Sequence, residues 1–347
     1  MPEVRYRHRR AFQIENPQVR VTVMAEGGHI AELFHKDAGV NPLWTPPWDT
    51  IEPSAYDRAR DPQYGADAES KLLSGIMGHN LALGMFGGPS AEEEAAGMTV
   101  HGEASVLPYG ITTSTDELVA RLEMPATQFH LERRIRLSMT SPVVRISETV
   151  ENRAALDRPT AWTEHVTLGP PFLERGSTQF RAPATRSKTG DGQEFDWPMR
   201  PREHGAAEDL RVYTSAEVSG GVTTHLLDPH NERAFFMAWS PRTKVLAGYV
   251  WKRADFPWLV IWEENHSRTT PPWNGRTMTR GMEFSASPYP ETRRQMIGRN
   301  GMYGVPGYRW IPARTQARVD YCAFVTTAAK IPERVEWDGE WGLKLVD

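Results

Sequence analysis

Cysteine is nearly absent from the 347-residue sequence: the single Cys322 rules out an internal disulfide framework and any cysteine-rich metal site. It stands in the alternating run "VDYCAFVTT" and reads as a small core residue. Long apolar runs are missing too. None approaches the roughly 20 residues that span a bilayer, and the opening "MPEVRYRHRRAFQIENP" has basic residues with no apolar stretch behind them. Neither a membrane segment nor a secretory leader is expected, and with the lone thiol this points to the cytoplasm. An excess of one charge is also lacking. Lys+Arg 40 against Asp+Glu 44 leaves a net charge of −4 with the signs mixed, so no basic stripe invites nucleic acid. The run Glu92-Glu93-Glu94 reads as a solvated loop. Without a fixed-period repeat, a Gly/Ser linker or a low-complexity tract, nothing divides the chain, and one domain over residues 1–347 is expected.

What the sequence does hold is short, alternating strand-like segments with Gly, Pro, Asn or Asp between them, among them "VRVTVMAEG", "FHLERRIRLSM", "VVRISETVEN", "TAWTEHVTLG", "WLVIWEEN" and "DYCAFVTT". The pattern predicts an all-β fold, a large antiparallel β-sandwich. Helical signals are few: "SAYDRARD", "AESKLLSGIM" and "PETRRQMIG", the last opening with Pro290 in its first turn. The segment "RSKTGDGQEFDWPMRPREHGAAEDL" reads as an irregular excursion from the sheet. There are 12 Trp, several of them beside prolines in "NPLWTPPWDTIEP" and "TTPPWNGR", where full burial is hard and a flat face is available to a ligand.

Three segments carry chemistry: "VHGEAS" with His101, "TEHVTLGPPFLE" with His165, and "RGMEFSASPYPE" with Glu283. In the second, the two-residue period puts Thr163, His165 and Thr167 on one face of a strand. Glu164 then points to the other face, where a structural role is expected. In the order "SGIMGHNLALGMFGG", "VHGEAS", the paired strands leading to His165, and "GMEFSASPYP", the chain resembles the aldose 1-epimerase (galactose mutarotase) superfamily as a divergent member, over roughly Val21 to Thr327.

The resemblance implies a supersandwich whose concave sheet holds a monosaccharide or small carbohydrate, with His101 and His165 near the ring oxygen, Glu283 near the anomeric hydroxyl, and no cofactor. One base and one acid suffice to open and reclose a sugar ring, and Glu and His are tuned toward neutrality by burial. The family's sugar-binding arginine has no counterpart; its position falls near His79 or Asn80, and the family's sugar-binding acid aligns with Asp228. Contacts to the distal hydroxyls must therefore differ. Trp262, Glu264, His266, Arg268 and Trp273 are expected to form one wall of the cleft, and Trp44 and Trp48 another. The competing readings are a noncatalytic carbohydrate-binding protein on the same sheet, a lyase or glycosidase, and, ranked last, a metal site using His79, His101 and His165, which lack any close-spaced pair.

Overall fold

The structure, a computed structural model, describes residues 3–202 and 205–347. Among these, the strands form two large antiparallel sheets, one of eleven strands and one of eight, with four two-stranded pairs at the margins. The alternation that suggested strands also decides the packing. In Phe129–Leu137 and Val143–Asn152 of the smaller sheet, every second side chain turns inward. Leu131, Ile135, Ile146 and Val150 meet Leu81, Val166, Ile261 and Phe284 of the larger sheet in one apolar core. Slipping any of these strands by one residue would expose its whole apolar set, which fixes the register.

The inward row of the smaller sheet is not wholly apolar. Arg133 replaces an aliphatic residue between Leu131 and Ile135, directly opposite Glu148 on the next strand. Its Nε lies 2.6 Å from Glu148, and its Nη2 3.3 Å from Glu164 of the facing sheet. The Tyr321 hydroxyl lies 2.9 Å from an oxygen of each carboxylate and can donate to either, and the Trp162 indole N–H is shared between both. Burial pushes the Glu148 carboxyl up to about 7, so that carboxyl is about half protonated at neutrality. Glu164 thus turns away from the face of His165 and joins the two sheets.

The short helices fall at Ser70–Leu73, Ala91–Ala95 and Arg293–Arg299. The acidic run expected as a loop is the second of these, because Ser90 caps it and Glu93 closes a capping box. The third starts after Thr292, which caps it, and not at Pro290. "SAYDRARD" gives only the end of a 3-10 turn, Pro53–Ala55. Part of the supposed excursion is a hairpin, Ala184–Thr189 with Glu194–Asp196, that extends the edge of the larger sheet; residues 203 and 204 of that segment lie outside the described residues. Among the described residues, no helix is long and apolar enough to cross a membrane.

Candidate functional site

Five adjacent strands of the larger sheet build the floor of a cleft: His79–Leu83, Trp162–Leu168, Met278–Ser285, Trp258–Asn265 and Ser219–Leu227, in that spatial order. Register aligns their outward side chains in rows. Asn80 faces His165 across one pair and Val260 faces Glu283 across another. The register that pairs Glu164 with Phe284 and Thr167 with Gly281 sets His165 opposite Glu283. The next row runs Thr167, Gly281, Trp262, Val222.

A cleft of about 260 Å³ opens over these rows, lined by His101, His165, Glu283, Phe86, Trp262, Trp273, Glu69 and Arg268, among others. His165 Nε2 and Glu283 Oε1 are 3.0 Å apart. They are close without being aligned as a hydrogen bond, and Glu283 Oε1 has no hydrogen-bond partner among the described residues. Burial raises the Glu283 carboxyl well above the usual carboxylate range. Burial, with a smaller contribution from His101, holds His165 well below the usual imidazole range. The His165 Nδ1 is 3.1 Å from the Thr167 hydroxyl, which can donate or accept, so the ring is free to carry its proton on either nitrogen.

His101 enters from a loop with a positive φ of 66°, its ring 4.8 Å from that of His165. Its Nδ1 lies 2.6 Å from the Phe86 carbonyl, which can only accept, so Nδ1 holds the proton and Nε2 is the acceptor end. Burial lowers its pKa to about 4. His29 and His225 are likewise buried and lowered to about 3. Depressed histidine pKa values stabilise the fold fully above 6.5, and that contribution is lost as pH falls toward the folded values. By pH 4 each lost contribution is on the order of 3 kcal/mol at about 1.4 kcal/mol per pKa unit. Glu283, Glu148, Glu69 and Asp255, raised instead, act in the opposite sense and offset part of that loss, against five depressed histidines, His29, His79, His101, His165 and His225. Urea midpoints measured from pH 7 down to pH 4 should therefore fall steeply below about pH 6; a flat profile would show that these rings are not held neutral.

The aromatic wall is layered. Trp273 stacks on Trp44 at 6.1 Å and 13°, and Trp48 meets both edge-on at 5.6 and 5.1 Å. Trp262 lies 5.9 Å from both His165 and Trp273. Gly281 is required by the same geometry: a Cβ there would sit within contact distance of Glu283 Oε1 and press on Trp262. Gly281→Ala should thus displace the carboxylate while leaving the protein folded, and any reaction that uses Glu283 should slow by about 10–100-fold. Unchanged kinetics with an unchanged melting temperature would remove the carboxylate's placement from the account.

The structure brings His101, His165, Glu283, Trp262, Arg268 and Trp273 to one cleft, and it places the other expected residues elsewhere. His79 points to the interior, because it pairs with Val166 and so shares the face of Glu164; its Nε2 is 2.8 Å from Glu164 and its Nδ1 3.1 Å from the Tyr249 hydroxyl. Asn80 is on the cleft side beside His165 but does not line the cleft, and both its amide atoms are buried without a partner. Asp228 is in the turn after Ser219–Leu227, where it accepts from the His230 amide, outside the cleft. Trp44 and Trp48 back the wall without lining it. Glu264 is buried and holds the backbone of Ser267 and Arg268 at 2.7 and 2.9 Å, while His266 bonds to the Gly275 carbonyl. Glu69 was not legible as a site residue; it sits just ahead of the Ser70–Leu73 helix with no motif around it.

Comparison with solved structures places this architecture. A Klebsiella pneumoniae protein described as a candidate aldose 1-epimerase superposes with a TM-score of 0.68 at 13% identity, over 93% of this chain and 80% of its own. A galactose mutarotase-like protein from Clostridium acetobutylicum gives 0.62 at 12%, over 94% and 98%. At such identities the likeness is one of fold, and the fold of this chain is galactose mutarotase-like. By sequence, the chain belongs to the family described as domain of unknown function DUF4432, whose model matches residues 9–270. Among curated proteins none matches.

Proposed function

We propose that the chain is an aldose 1-epimerase-type isomerase that interconverts the α and β anomers of a free sugar. The reading is carried by the His165–Glu283 pair, 3.0 Å apart on the floor of an aromatic-walled cleft. Both groups are desolvated, so the resting pair is a carboxyl, with one proton to transfer, facing a neutral imidazole. Passing that proton to His165 Nε2 creates a carboxylate and an imidazolium, a state that a sugar hydroxyl donating to Glu283 favours. Glu283 then takes the proton of the C1 hydroxyl while His165 protonates the ring oxygen. The bond from C1 to the ring oxygen breaks, C1 becomes an aldehyde, and rotation about C1–C2 presents its other face. Reversal of the same two transfers closes the ring and returns the pair to its starting state, so no oxidant or co-reactant is consumed.

His101, with its N–H occupied by the Phe86 carbonyl, serves as an acceptor that orients a hydroxyl, not as the acid. Trp262, the partly exposed tryptophan of the cleft, offers a face to the C–H side of the ring, with Trp273 behind it. Glu69, the other carboxylate lining the cleft, is tied to Arg268, which counts against a glycosidase needing two carboxylates across the scissile bond. We read residues 1–347 as one sandwich domain, since both sheets share a core, and place it in the cytoplasm, where the buried thiol of Cys322 would stay reduced. Polarimetry on a freshly dissolved single anomer tests the reading. Decay toward equilibrium should accelerate in proportion to protein concentration. A sugar that binds but relaxes at the buffer rate would make the cleft a carbohydrate-binding site without catalysis.

A further inference from the structure

The aromatic wall of the cleft carries a charged pair that the acid–base chemistry does not use. Arg268 Nη1 lies 3.2 and 3.1 Å from the two carboxylate oxygens of Glu69, a residue 199 positions away in the chain. The guanidinium spreads over Trp273 at 4.7 Å and Trp262 at 5.7 Å from the ring centroids. Its backbone is fixed by Glu264, which accepts from the amides of Ser267 and Arg268 and from the Ser267 hydroxyl. Both members remain partly open to solvent, with side-chain exposures of 38% for Arg268 and 27% for Glu69. The pair is therefore preorganised, accessible and on the same cleft as Glu283 and His165.

Resting on the proposed function, we infer that the Arg268–Glu69 pair reads two neighbouring hydroxyls of an uncharged sugar and turns away sugar acids and sugar phosphates. A guanidinium beside a carboxylate presents donors and acceptors side by side. A vicinal diol matches that arrangement, each hydroxyl accepting from an Arg268 N–H or donating to a Glu69 oxygen. A carboxylate or phosphate does not match it. Among the described residues lining the cleft, Arg268 is the one Arg or Lys, and its charge is already answered by Glu69, with a Glu264 oxygen 4.0 Å from its Nε. An anionic substituent would meet Glu69 without a free cation in compensation.

The test is binding of matched pairs, D-glucose with D-glucuronate and glucose 6-phosphate, and D-galactose with D-galacturonate, followed by calorimetry or ligand-observed NMR. Wild type should favour a neutral member by about tenfold or more. Glu69→Gln, which frees the guanidinium, should weaken the neutral sugar and strengthen the charged partner by about tenfold. Arg268→Met should weaken binding of the neutral sugar by about tenfold. A wild-type preference for charged members, no affinity for any neutral member, or a preference unaltered in Glu69→Gln with its circular dichroism intact would each overturn the inference. Because binding is the readout, these outcomes are separable from a failure of anomer exchange.

Discussion

Glu283→Gln is expected to leave the fold and most of the sugar affinity in place while slowing anomer exchange by about 10²–10⁴-fold, the usual contribution of a general acid–base group. Glutamine is nearly isosteric with glutamic acid and, like the resting side chain, uncharged, since burial holds Glu283 protonated well above the ordinary carboxylate range. It therefore removes no buried ion and leaves no new charge unpaired. What it cannot do is release a proton to His165 Nε2 and then take one from the C1 hydroxyl. The loss should appear in kcat with a melting temperature equal to or above that of wild type. A rate within threefold of wild type would mean that Glu283 is not the proton-transfer group.

Arg133→Met should destabilise the protein by about 3–5 kcal/mol, the cost of removing one partner from a buried ion cluster. The guanidinium is fully enclosed, bonds to Glu148 and Glu164, and donates at 3.0 Å to the Gly28 carbonyl. Without it, two carboxylates face each other between the sheets with only Tyr321, Trp162 and His79 to answer them. Their escape is protonation, so the difference between variant and wild type should be greatest at neutral pH and shrink as pH falls toward the ordinary carboxylate range. Urea denaturation at several pH values measures it. A loss that does not vary with pH would indicate lost packing and not stranded charge.

These two sites differ in how plainly the sequence announced them. Strand alternation alone separates His165 from Glu164, and it sends the two to the cleft and the interior as they stand in the structure. The same rule, applied to "GHNLAL", sends Asn80 to the cleft side and His79 inward, a distinction that a positional resemblance to a single arginine could not make. Arg133 had a legible signal as well, because it takes a place in the period of Phe129, Leu131, Ile135 and Leu137; in "FHLERRIRL" its charged neighbours mask it. Asp228 failed because motif order places a residue along the chain but not around a turn. Glu69 and its pairing with Arg268 depend on a contact between segments 199 positions apart, which no local pattern encodes. Trp44 and Trp48, expected as a second wall, stand behind Trp273 instead, because which of several tryptophans presents its face and which supports it is settled only by packing.

The central claim is that protons pass between His165, Glu283 and a sugar's C1 hydroxyl and ring oxygen, and two-dimensional exchange NMR on a ¹³C1-labelled neutral sugar at anomeric equilibrium tests it most directly. With no net reaction to follow, the spectrum reports only how often α becomes β. The account predicts cross-peaks between the two anomeric signals that grow with wild-type protein and vanish with Glu283→Gln, although both proteins bind the sugar. Binding by wild type without cross-peaks above those in buffer would contradict it.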